Sequence, residues 1–116
     1  MPIITIYHNP RCSKSRQTLA LLEQRGVSPA VVEYLNDPPS KATLKRIVKM
    51  LGVRPIDLVR RREEPFKTLG LVSKQDDDEA ILNAMARHPI LIERPIVIKG
   101  DKAALGRPPE NVLEIL

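Results

Sequence analysis

The chain has 116 residues, 42% of them hydrophobic, enough for one compact core and too few for two ordinary domains. Its 19 Lys and Arg against 14 Asp and Glu give a formal charge of +5, which suits an anionic ligand, but two Tyr, one Phe and no Trp deny it the stacking platform of a single-strand nucleic-acid binder. One cysteine excludes an internal disulfide, no run approaches the ~18 apolar residues of a membrane span, and the start shows no export signal, so we expect a protein of the reducing cytoplasm.

Residues 3–7 form a short β-prone run, followed by a polar loop and a helical pattern with Leu19 and Leu22 on one face, ending at Gly26. Ser13 or Ser15 is placed to cap that helix. Residues 30–35, with Val31, Val32 and Tyr34, read as a second strand, so the first unit is βαβ with parallel strands. The loop after the first strand then lies at its carboxyl end, where such sheets bind ligands.

Pro38 and Pro39 punctuate the chain, and Ser40 caps a helix carrying Leu44, Ile47, Val48 and Leu51 before Gly52. A short helix follows Pro55 through Ile56, Leu58 and Val59, and Asp76, Asp77 and Asp78 start a third helix with Ala80, Ile81, Ala84 and Met85 inward. After Pro95, residues 96–98 and 103–105 form a hairpin around the turn Lys99-Gly100-Asp101-Lys102. Pro108 and Pro109 open a closing helix with Val112, Leu113 and Leu116 inward. This order predicts an α/β, thioredoxin-like fold: a mixed four-stranded sheet with a helical insertion over about 40–91 between the second and third strands. We expect residues 1–116 to form a single domain.

Cys12 lies in the loop His8-Asn9-Pro10-Arg11-Cys12-Ser13-Lys14-Ser15-Arg16. His8, Arg11, Lys14 and Arg16 are all within four residues of it, and a helix starts beside it. Cationic neighbours and helix N-termini both stabilise a thiolate. A thiol with a pKa near ~8.5 is about 3% ionised at pH 7, and lowering it to ~6.5 raises that to roughly 75% for about 2.7 kcal/mol of differential stabilisation. Cys12 is therefore a candidate nucleophile rather than a small buried hydrophobe.

Arg60, Arg94 and Arg107 each fall at a predicted element boundary. Guanidinium forks match the oxygens of tetrahedral oxyanions, and several together neutralise a multiply charged one. Arg94 also precedes Pro95, which by analogy with thioredoxin-like folds would be cis.

The Cys12 loop, the stretch His88-Pro89-Ile90-Leu91-Ile92-Glu93-Arg94-Pro95-Ile96-Val97 and the closing Gly106-Arg107-Pro108-Pro109 resemble the glutaredoxin-coupled arsenate reductases. Tyr34-Leu35, Pro38-Pro39 and Glu64-Pro65 extend the likeness over essentially the whole chain, which ends at Leu116 as in a short branch of that family. The resemblance implies Cys12 as catalytic nucleophile, Arg60, Arg94 and Arg107 as oxyanion-binding residues, and His8 and Ser15 as residues that tune the thiolate. It implies attack of Cys12 on arsenate, addition of glutathione as co-substrate to the bound arsenic, and reduction by glutaredoxin with release of arsenite. We expect no bound cofactor or metal, no nucleic-acid or membrane partner, and a monomer.

Four readings compete with it, the residual one being a non-enzymatic anion-binding domain. A thiol oxidoreductase of the same fold could act on another substrate. A regulator of the same fold would bind RNA polymerase through a Cys-x-x-Cys switch, but Ser15 occupies the fourth position here. A monothiol glutaredoxin would share Cys12-Ser13-Lys14-Ser15 and leave the oxyanion arginines unexplained.

Overall fold

A computed structural model describes residues 3–93 and 95–116. The chain divides into two compact units, one from 1–37 with 94–116 and one from 38–93.

The first unit is built on a mixed sheet of β1 (Ile4–His8), β2 (Ala30–Glu33), β3 (Ile96–Lys99) and β4 (Lys102–Leu105), in the order β2-β1-β3-β4. β1 runs parallel to β2, with Ile6 opposite Val31, and antiparallel to β3, with Ile6 opposite Val97. Helix α1 (Ser13–Gln24) provides the crossover between the two parallel strands. This is the thioredoxin-like arrangement expected from the element order.

β3 and β4 are joined through Gly100, whose φ of 61° supplies the positive first position of a two-residue hairpin turn. The sheet and α1 close over Ile6, Leu22, Val97 and Val112, with Ile4, Leu19 and Ala104 packed against them. Each fully buried aliphatic side chain contributes about 1.5–3 kcal/mol.

Two local expectations are corrected. Cys12 itself is the N-cap of α1, while Ser13 is its first residue and Ser15 turns inward, fully buried with Thr18 and Leu22. The closing segment Pro109–Ile115 is a 3₁₀ helix rather than an α-helix, although Val112 is buried as expected. The Arg107–Pro108 peptide is cis; the Arg94–Pro95 bond, for which fold analogy suggested that form, lies outside the described residues.

Gly106 joins β4 to that closing segment, and its N–H donates to Pro95 O at 2.9 Å. A Cβ placed on it would lie 2.5 Å from Thr18 Oγ1 and 2.7 Å from Pro95 Cγ. Thr18 cannot easily yield, because it is fully buried and its hydroxyl donates to Lys14 O at 2.8 Å. Gly106→Ala is expected to destabilise the chain by about 1–3 kcal/mol through this overpacking. The measurement is the urea midpoint at unchanged slope; an unshifted midpoint would mean that the loop rearranges without cost.

The second unit is helical from Lys41 to Leu91: α2 (Lys41–Leu51), α3 (Glu64–Thr68) and α4 (Asp78–Arg87), joined by short 3₁₀ segments. Ser40 caps α2 by accepting the Thr43 N–H at 3.1 Å, and Gly52 ends it in the left-handed region at φ 69°. Asp77 caps α4 through the Ala80 N–H at 3.1 Å. Leu44, Ile47, Ile81 and Met85 are essentially fully buried. An antiparallel bridge, Val59 to Ile92, ties the segment before Arg60 to the one that ends at Glu93.

Candidate active site

The loop between β1 and α1 is folded by its own hydrogen bonds. Asn9, only 6% exposed, accepts the Cys12 N–H on its backbone oxygen at 3.0 Å and the Arg11 N–H on its side-chain oxygen at 3.0 Å. Such double use is what Asn offers in turns. The Asn9 N–H in turn donates to Ser15 Oγ at 3.0 Å. The loop is thereby tied to the first turn of the helix it precedes, and Arg16 Nη1 adds a bond to Pro10 O at 2.8 Å.

Cys12 occupies the N-cap of α1 with extended backbone (φ −94°, ψ 123°), and its carbonyl accepts the Arg16 N–H at 3.0 Å. Its side chain is half-buried. No acidic residue lies in the first turn to offset the positive end of the helix dipole. Arg11, Lys14 and Arg16 are exposed around it. Helix terminus and cations thus surround the one group in the chain able to act as a thiolate.

His8 contributes differently from those cations. It ends β1 opposite Glu33, is 6% exposed, and lies 2.6 Å through Nδ1 from Ser15 Oγ. Burial pushes its pKa below the ordinary histidine value of 6.5; Glu33 opposes this and Arg16 adds to it. The imidazole is therefore neutral at pH 7 and adds no charge to the loop. Ser15 Oγ thus bridges the imidazole and the Asn9 N–H, which it accepts.

The stability consequence has a definite sign. With the folded pKa below the unfolded one, the unfolded chain binds a proton first, so the stability tied to a neutral His8 is complete above pH 6.5 and lost as pH falls toward the folded pKa. Urea unfolding as a function of pH should show this slope, and His8→Gln, which cannot titrate, should flatten it. Parallel pH profiles in the two proteins would refute the assignment.

The arginines are distributed unevenly. Arg107 is exposed in the first unit, with its carbonyl accepting Asn111 Nδ2 at 3.1 Å, and its segment is seated on α1 through the neighbouring Gly106. Arg60 belongs to the second unit, half-buried beside Glu63 and Glu93. Arg94 lies outside the described residues. The structure thus brings His8, Cys12 and Ser15 into one loop network and anchors the Arg107 segment on the same helix.

Asn9, Glu63 and Glu93 were not singled out from sequence. For Asn9 the available signal was an Asx residue two positions before Arg11, and for Glu63 its place three positions after Arg60; for Glu93 none existed, since it meets Arg60 across 33 positions. Among the described residues there is no group of three or more His, Cys, Asp or Glu able to hold a metal ion, and no helix is long and apolar enough to cross a membrane.

The chain as a whole is similar to known proteins. The chain is 50% identical over 114 residues to the uncharacterized protein YfgD of Escherichia coli, covering 97% of this chain and 96% of that one. It is 49% identical over 117 residues to an arsenate reductase of Neisseria meningitidis, covering 100% of both. The solved structure of an arsenate reductase from Vibrio cholerae superposes with a TM-score of 0.94 at 52% identity, covering 99% of this chain and 98% of that one. The ArsC family model matches residues 7–115, from the end of β1 through the closing 3₁₀ segment, and the chain belongs to the ArsC family.

Proposed function

We propose that this chain is an arsenate reductase that works through Cys12, with glutathione and glutaredoxin as the external thiols. The observation that carries the reading is the position of Cys12 at the N-cap of α1, in a loop tied together by a buried histidine bonded to Ser15. Full-length likeness to arsenate reductases supports the substrate.

In this mechanism the Cys12 thiolate attacks arsenic and expels a hydroxide, which leaves as water after protonation. Arsenic stays at the +5 level in the resulting Cys12–S–As bond. Glutathione then adds its sulfur to the bound arsenic with loss of a second water. A glutaredoxin thiolate attacks the glutathione sulfur, the S–As bonding pair passes to arsenic, and a glutathione–glutaredoxin disulfide forms as arsenic falls to +3. Hydrolysis returns Cys12 and releases arsenite. Two external thiols supply the two electrons, which is why one protein cysteine suffices.

Ser15 holds the loop by accepting the Asn9 N–H and bonding His8 Nδ1, so the loop N–H groups keep a fixed direction during attack. Arg60, Arg94 and Arg107 hold the oxyanion in this reading. Residues 1–116 act as one domain, monomeric and cytoplasmic, with no metal.

The test is arsenate-dependent NADPH oxidation by the purified protein in the presence of glutathione, glutaredoxin and glutathione reductase. Turnover that requires both thiols supports the mechanism. A chain whose Cys12 is alkylated readily but which leaves arsenate untouched would overturn the substrate while retaining the thiol chemistry.

A further inference from the structure

Arg60 is held by carboxylates. Its Nε donates to Glu63 Oε1 at 3.3 Å and its Nη1 to Glu93 Oε1 at 3.4 Å. The three side chains are 23%, 26% and 24% exposed, so the triad is only partly screened by water. The backbone fixes all three partners. Arg60 N–H donates to Leu91 O and Glu93 N–H to Leu58 O, both at 2.7 Å, across the Val59–Ile92 bridge. Glu63 N–H donates to Arg60 O at 3.3 Å, and Glu63 is the N-cap of α3.

One guanidinium thus faces two carboxylates. A guanidinium has five N–H groups, of which the glutamates take one on Nε and one on Nη1. The Nη2 amino group lies outside both contacts. An oxyanion approaching it meets a pre-oriented donor with two carboxylates beside it. The first effect favours binding and the second opposes it.

We propose that Glu63 and Glu93 are positioning residues for Arg60, orienting its guanidinium while weakening its hold on a multiply charged oxyanion, so that substrate and competing anions exchange instead of lodging. The proposal rests on the reading of Arg60 as an oxyanion-binding residue. Two effects predict two signatures. Glutamine keeps an acceptor oxygen in place and removes the charge, whereas alanine removes both. Any difference between the two substitutions therefore reports positioning.

The experiment is calorimetric titration of sulfate into the Cys12→Ser chain, which binds without turning over. Glu63→Gln with Glu93→Gln should tighten sulfate about three- to tenfold, the effect of removing partly screened charges a few ångströms away. The corresponding alanine pair should tighten it less or weaken it. With Cys12 present, the glutamine pair should lower the KM for arsenate by a similar factor without raising kcat. A purely structural role would move the melting temperature and leave this split absent.

Sulfate bound no more tightly by the glutamine pair overturns the charge effect, and equal affinities for the glutamine and alanine pairs overturn positioning. Arg60→Ala in the same background separates the proposal from the reading beneath it. If it leaves sulfate affinity unchanged, Arg60 holds no oxyanion and both fall. If it weakens sulfate while the glutamine pair does nothing, only the role of the glutamates falls.

Discussion

Cys12→Ser is expected to abolish arsenate turnover while leaving a folded protein. Cys12 is the only cysteine, so no second thiol can take over. A serine hydroxyl without an adjacent strong base is a poor nucleophile, and His8 is already committed to Ser15. Loss of a covalent nucleophile costs on the order of 10⁶ in kcat in a well-studied hydrolase, which here would place the variant at background. Stability should not suffer, because the side chain is half-buried at an N-cap, where serine is among the favoured residues. The measurements are the coupled assay and a thermal melt on one preparation. Turnover above the protein-free rate, in a variant that melts like the parent, would defeat the mechanism.

The sequence showed the frame of this site more clearly than its electrostatics. Strand β1, the hairpin through Gly100, the Ser40 cap and the Gly52 stop depend on local chemistry, namely strand propensity, turn geometry and capping, and each stands where its residues predict. The serines near Cys12 show where locality fails. Both are good caps by type, but Ser15 is drawn inward by His8 and Asn9, partners set by the strand that precedes the loop. His8 shows the same limit. Counted in sequence it is a potential cation beside Cys12; buried at the end of β1 it is neutral.

Pairings across long separations are the least legible of all. Nothing local to Arg60 announces Glu93, because that contact depends on the Val59–Ile92 bridge. The closing 3₁₀ helix is a milder case. Pro108 and Pro109 mark its start correctly, but the hydrophobic spacing of Val112, Leu113 and Leu116 does not distinguish a 3₁₀ from an α-helical run over seven residues.

Arg107→Ala is expected to lower kcat/KM for arsenate by about 10² to 10³, the loss measured when one preorganised oxyanion donor is removed. Arg107 stands between Gly106, seated on α1 against Thr18, and the closing 3₁₀ segment, whose Asn111 bonds its carbonyl. Its backbone is therefore anchored to the helix that begins at Cys12, while its side chain remains exposed. That combination separates function from folding. Truncating an exposed side chain should change stability by less than about 0.5 kcal/mol, so the activity loss should come without a matching fall in melting temperature. Arg107→Lys sharpens the test, since lysine keeps the charge and loses the planar fork. If bidentate geometry matters, the lysine variant should fall between parent and alanine; if only charge matters, it should match the parent. Alanine and parent proteins of equal kcat/KM would remove Arg107 from the oxyanion site, whatever the behaviour of Cys12.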